Sequence, residues 1–267
     1  MNVRIALANV RVGKDSKESL DIALETIAQA GSLEAAIVCF PESFVPGYRI
    51  GNTRVECDIN FLERAWSAVD QAARKARIAV ILGTERQDGD RRVISARVTN
   101  SDGELLGFQD KVQLDPSEEG VYSPGSERRV FQCGDMTFGI VICHEGWRYP
   151  ETVRSAARSG AQIVFHPHTE LVEGAGVQPS GFADPLNSFH EKAALCRAAE
   201  NTCYFATVNN AIHGASTTSA VVSPDGTLLA HHPYGQHGLL VSDIDLSKAT
   251  GFLAHRLKSA SSLHIAN

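Results

Sequence analysis

Three side chains in this 267-residue chain stand where an apolar run ends and a loop begins, and each can do chemistry from such a place. The run 137–142 reads as a strand and leads straight into Cys143-His144-Glu145-Gly146-Trp147-Arg148, with a helix beyond. A thiol at that junction sits on a sharp turn at the carboxyl end of a buried strand. The N–H groups of the turn and helix start favour an anion there, either a thiolate or an oxyanion. This is the cysteine form of a nucleophile elbow; the alternative is a core cysteine that closes a strand. Glu42 follows a second apolar run, wedged between Pro41 and Phe44-Val45-Pro46. Burial raises a carboxyl pKa toward the range of a general base, whereas a surface glutamate at this point would only cap a turn. Lys111 closes a third run. A fixed ammonium stabilises charge building on a carbonyl oxygen; an exposed lysine paired with Asp110 or Asp115 is the plainer alternative.

Taken in order, these residues and their surroundings give the chain a resemblance to the nitrilase superfamily of carbon–nitrogen hydrolases over nearly its whole length. Phe40-Pro41-Glu42 with Pro46-Gly47-Tyr48 is similar to the family's glutamate motif, and Lys111-x-x-Leu114-x-Pro116 to its lysine motif. Cys143-His144-Glu145 with Arg148-Tyr149-Pro150-Glu151 is similar to the cysteine motif. Arg197-Ala198-Ala199-Glu200-Asn201, then Tyr204 and Asn209, resembles the late helix–strand signature, and Ser223-Pro224-Asp225-Gly226 a characteristic hairpin. Two departures stand out. Arg148 lies five residues after the cysteine where many members have four, so Gly146-Trp147 reads as a one-residue extension of the turn. His144 stands where nitrilases carry tryptophan, which favours amides over nitriles as substrates.

The resemblance implies an α/β fold: a four-layer α-β-β-α sandwich with two mixed β-sheets covered by helices. It implies Cys143 as nucleophile, Glu42 as general base and Lys111 as stabiliser of the tetrahedral intermediate. Glu118 is the expected supporting glutamate, with Glu119 a neighbouring alternative. His144, Tyr48, Trp147, His166 and His168 are the expected oxyanion or substrate-binding residues, Trp147 either walling the pocket or capping a helix. Arg148 and Glu151 are expected to brace the elbow or a subunit contact. The implied reaction takes a small amide to acid plus ammonia through a thioester, with no metal or organic cofactor. N-carbamoyl amines or amino acids, ω-amides of keto acids and nitriles stay open as substrates, and Arg54, Arg128 or Arg148 could each meet a substrate carboxylate. Members usually pair across the helices expected at 149–159 and 185–201, so a homodimer or larger homo-oligomer is expected.

Three rival readings compete. A Cys–His hydrolase would draw its base from His144, His166, His168 or His190. A metal-dependent hydrolase would start from His166-x-His168, although strand alternation puts both on one face, where a pocket wall is the simpler role. A catalytically silent binding protein is the third.

Those residues need elements to position them. Hydrophobic periodicity predicts strands at 3–8, 35–40, 78–83, 129–132, 137–142, 162–166, 204–209 and 238–244. It predicts helices at 16–30 (Ser16 as N-cap), 58–77 (Trp66 in the core), 149–159 and 185–201. Hairpins are predicted at 91–100/104–108 across Asp102-Gly103 and at 217–223/227–231 across Pro224-Asp225-Gly226. Residues 170–184 read as a long functional loop. Interleaved helices and strands argue one α/β domain over 1–267. With 43% hydrophobic and 21% charged residues the composition is that of an ordinary globular protein. A net charge of −6 without a basic stripe excludes nucleic acid as the main partner. No apolar run reaches the ~18 residues of a membrane span, and the N-terminus reads as a first strand rather than a signal peptide, so a cytoplasmic protein is expected. The six cysteines form no C-x-x-C pair, which argues against a zinc ribbon or disulfide scaffold.

Overall fold

Alternation along the first strands decides the architecture. In the computed structural model, which describes residues 2–50, 55, 58–170 and 179–258, strand β1 (Asn2–Asn9) turns Ile5 and Leu7 to one face and Ala6 and Ala8 to the other. Strands β2 (Ile37–Cys39) and β3 (Ala79–Asp88) repeat this, with Ile37, Cys39 and Ile81 on the first face and Val38, Val80 and Leu82 on the second. A period of two with both faces apolar means a strand buried on both sides. The second face meets helices α1 (Ser16–Ser32) and α2 (Ile59–Ala76), whose Ile22, Ala23, Ile27, Ala65, Val69 and Ala73 pack on it. The first face meets another sheet.

Among the described residues each sheet has six strands. The first runs β12-β1-β2-β3-β4-β5, with β4 at Arg91–Thr99, β5 at Leu105–Asp110 and β12 at Gly238–Asp245. The second runs β11-β10-β9-β8-β7-β6: β6 Val130–Cys133, β7 Met136–Ile140, β8 Ile163–Pro167, β9 Tyr204–Val208, β10 Ala220–Val222 and β11 Leu228–His231. Both are mixed: β1-β2-β3 and β7-β8-β9 are parallel and their flanks antiparallel. Phe138, Ile140, Phe165 and Tyr204 of the second sheet interdigitate with Ile5, Leu7, Ile81 and Val98 of the first. The outer face of the second sheet is covered by α4 (Pro150–Arg158), α5 (His190–Ala199) and α6 (Phe252–Arg256) through Val153, Ala157, Ala194, Ala198 and Ala254. The layers are therefore α-β-β-α, as expected.

Several boundaries differ for local reasons. The cap of α1 is Asp15, which accepts from the Glu18 N–H, so Ser16 is the first helical residue. The helix expected at 185–201 begins only at His190, because Asp184 accepts from the Ser180 and Leu186 N–H groups and closes a turn instead. The first predicted hairpin forms with Gly103 at φ 74°, where glycine is favoured. The second shortens to β10 and β11 with a bulge. Among the described residues no helix is long and apolar enough to cross a membrane.

Candidate active site

The ends of strands from both sheets converge. After β7 the chain enters Cys143 at φ 51° and ψ −114°, then the short helix α3 (His144–Arg148). A non-glycine residue in that region stores about 1–3 kcal/mol of backbone strain and persists only when its surroundings hold it. Here they do. Cys143 N–H donates to Pro167 O at 2.9 Å, and Cys143 O accepts from Gly146 N–H at 3.0 Å and from His166 Nε2 at 2.8 Å. The fully buried Glu145 carboxylate accepts from the N–H groups of Val112, Gln113 and Ile142 and from Arg128, tying the elbow to the lysine loop. Arg197, from α5, donates to the carbonyls of Gly146 and Trp147 at 2.8 and 2.7 Å. Gly146 has no side chain to spare room for: a Cβ there would lie 2.5 Å from the His166 ring.

Glu42 follows β2, and its loop passes over β3 only because position 83 is glycine; a Cβ there would lie 1.7 Å from Pro41 O. Lys111 follows β5. It is completely buried, and its Nζ donates to Glu42 Oε1 at 2.7 Å and to Glu118 Oε1 at 2.6 Å. Glu118 is placed by a capping box: Asp115 caps the short 3-10 turn Pro116–Glu118, and Glu118 Oε2 accepts from the Asp115 N–H at 2.8 Å. Tyr48 donates its hydroxyl to Glu118 Oε1 at 2.6 Å. Glu119, the alternative second glutamate, is exposed. The site thus buries two carboxylates around one ammonium, with the thiol beside them.

Burial is the largest effect on the Glu42 carboxyl, and it wins over the Lys111 charge; with help from the Glu118 charge it pushes the pKa up to about 7. The neighbouring Cys143 thiol acts with Lys111 to favour the charged carboxylate. Among the described residues Glu42 Oε2 has no hydrogen-bond partner, which leaves it open to receive the thiol proton. Burial, then the Glu42 charge, drives the thiol pKa well up, opposed by Lys111 and by the Thr169 N–H. The resting sulfur is therefore a thiol, not the thiolate that the turn N–H groups alone suggest. For Lys111, burial works against the charge, but Glu42, the cysteine and Glu118 outweigh it and raise its pKa above the ordinary lysine value.

The remaining expected residues are distributed as follows. The His144 ring lies 3.0 Å from Asp115 Oδ2, and its N–H, the first of α3, has no acceptor among the described residues. His166 binds the Cys143 carbonyl and Thr207 Oγ1, so it addresses backbone rather than sulfur. Burial pushes its pKa down to about 3, and it is neutral. His168 is fully buried. Trp147 packs against His168 and His190, with ring centroids 4.5 and 4.3 Å apart, and so forms a wall. Among the described residues no third ligand joins His166 and His168 in a metal-binding group. Arg128 is held by Glu145, and Arg148 lies over the Phe189 ring at 4.3 Å. Glu145 and Arg197 tie down the backbone of the elbow, Glu145 through the N–H groups of Val112, Gln113 and Ile142 and Arg197 through the carbonyls of Gly146 and Trp147. Arg54, Cys57 and the centre of the loop at 170–184 lie outside the described residues.

A family model described as carbon-nitrogen hydrolase matches residues 4–252. A nitrilase from Pyrococcus abyssi is 28% identical over 230 residues, covering 82% of this chain and 80% of its own. An (R)-stereoselective amidase from a Pseudomonas species is 26% identical over 222 residues, covering 83% and 74%. Among solved structures, a mutant of the Nesterenkonia AN1 amidase from the nitrilase superfamily superposes with a TM-score of 0.79 at 25% identity, over 96% of this chain and 94% of that one.

Proposed function

The chain belongs to the carbon–nitrogen hydrolase family, and on that premise we propose that it hydrolyses a small amide to the acid and ammonia through a thioester on Cys143. The observation that carries this reading is the Lys111 ammonium held between Glu42 and Glu118, with the Cys143 thiol against the same Glu42 carboxylate.

A carboxylate with a pKa near 7 is poised to take a proton at neutral pH and return it. As Cys143 Sγ attacks the carbonyl carbon, Glu42 takes the thiol proton. Two of the three Lys111 N–H groups are spent on carboxylates, and the third, with the His144 N–H, receives the oxyanion. Glu42 then protonates the amide nitrogen, the C–N bond breaks and ammonia leaves. Water enters, gives a proton to Glu42 and attacks the thioester carbon. The C–S bond breaks, and the sulfur recovers its proton from Glu42. Glu118, anchored by Tyr48 and the Asp115 N–H, fixes Lys111 without taking part in proton transfer. A mutant of the Nesterenkonia amidase with the acetamide moiety of fluoroacetamide covalently added at its active-site cysteine, 25% identical at a TM-score of 0.76, supports the cysteine as the point of attachment. Amides are preferred over nitriles because His144 follows the cysteine.

The test is ammonia release from acetamide and propionamide. Cys143→Ala should lower turnover at least about a thousandfold while the unfolding transition stays in place. A variant that releases ammonia at the wild-type rate removes the proposal. Exposed Tyr149, Leu186 and Phe189 on the α4–α5 side also support a homo-oligomer, which light scattering would reveal as a mass of at least two chains.

A further inference from the structure

One fully buried side chain just past the end of β8 is not accounted for by the mechanism. Among the described residues neither ring nitrogen of His168 has a hydrogen-bond partner. Buried polar groups in native proteins are nearly always paired, so one that is not asks for a partner from outside the chain. His166 on the same face shows the contrast, since both its nitrogens are satisfied. His168 is also well placed. Its ring stacks on His166 at 5.1 Å and lies 4.5 Å from Trp147 of the elbow helix. The next residue, Thr169, gives its hydroxyl to Glu42 O at 3.0 Å, and its N–H faces the Cys143 sulfur closely enough to lower the thiol pKa. Burial, together with the neighbouring His166 and His190, holds the His168 pKa well below the ordinary imidazole range. A neutral ring offers one donor and one acceptor and no charge.

The substrate orientation, which rests on the amidase reading above, decides what meets this ring. The amide nitrogen faces Glu42 to collect its proton and the carbonyl oxygen faces Lys111. Both come from the first sheet, so the acyl chain points to the wall built by the second. We propose that His168 is the specificity residue for the acyl chain, and that the substrate is a small amide whose acyl chain carries a neutral hydrogen-bonding substituent such as a hydroxyl.

Lactamide and isobutyramide differ by a hydroxyl in place of a methyl group and have nearly the same shape. With the full chain, kcat/KM for lactamide should exceed that for isobutyramide by about tenfold or more, because a site built to bond a polar group discriminates against the analogue lacking it. Malonamate, which brings a carboxylate to a neutral ring, should fall below lactamide. His168→Phe keeps a ring without nitrogens and should bring the lactamide/isobutyramide ratio close to one. His168→Gln, which keeps a donor and an acceptor, should retain most of the preference, and it serves if the phenylalanine variant does not fold. A wild-type ratio near one, a ratio unmoved by His168→Phe, or malonamate as the best of the three overturns the proposal. Turnover of propionamide with no preference for lactamide defeats this inference alone. Failure to release ammonia from any of these amides defeats the amidase reading as well.

Discussion

Replacing Lys111 by methionine tests the charge balance on which the chemistry rests. In the wild type, two buried carboxylates share one buried ammonium. In Lys111→Met they face each other with no cation between them. Leaving buried charge uncompensated costs about 3–5 kcal/mol of stability, and the protein can relieve it only by protonating a carboxyl group. Glu42, already near 7, is the one that takes the proton. A further rise of about two units would leave about one molecule in a hundred with its base free at neutral pH. Loss of an oxyanion donor removes about another 10²–10³ in rate. Since about half of the wild type already has its base free at pH 7, the combined loss in kcat/KM, read by ammonia release, should be about 5 × 10³ to 5 × 10⁴, with the urea midpoint shifted down. Adding Glu118→Gln to Lys111→Met removes one of the two stranded charges. That double variant should recover at least half of the lost stability while staying inactive, a non-additivity that separates charge balance from catalysis. If Lys111→Met unfolds at the wild-type urea concentration and keeps activity within tenfold, the reasoning is wrong.

Three further outcomes follow from the same site. Since Glu42 must be ionised to accept the thiol proton, kcat/KM should rise with pH through a midpoint near 7; a profile flat from pH 5 to 9 would count against Glu42 as the base. The stability effect of this group has the opposite sense. Its raised pKa favours the folded protein below the ordinary glutamate range, and that contribution fades as pH climbs through 7, so wild type should lose stability relative to Glu42→Gln over that interval. Gly146→Ala drives a methyl group into the His166 ring and should cost about 1–3 kcal/mol; because His166 holds the Cys143 carbonyl, kcat should drop too. Calorimetry and steady-state kinetics on the purified variant check both, and an unperturbed protein would refute the packing argument.

Each of the three central residues stands where an apolar run stops, but that position alone fits a turn cap, a surface lysine or a core cysteine equally well; the order of motifs shared with the family is what selects them. The resemblance points to Glu118 with Glu119 as an alternative, and the capping box explains why Glu118 turns inward and Glu119 does not. The layered architecture followed from apolar residues on both faces of short strands. What stayed hidden was long-range. Glu145 gathers backbone N–H groups from residues 112, 113 and 142, and nothing local marks a glutamate for such a role. Arg197 was visible as part of a late signature but not as a clamp on the elbow, since its acceptors are carbonyls fifty residues away. The late start of α5 was hidden for a different reason: helix propensity over 185–189 loses to a side-chain turn at Asp184.

Glu42 and Lys111 extend from one sheet and Cys143 from the other. The distance over which the proton and the sulfur must meet is thus set by the thickness of the seam between the sheets, filled by side chains such as Val98, Met136 and Phe138. Close-packed interiors transmit small volume changes, and reactions that depend on near-contact geometry are steeply sensitive to displacements of about 1 Å. The seam therefore works as a spacer gauge: trimming a methyl group far from the sulfur should detune the rate before it endangers the fold.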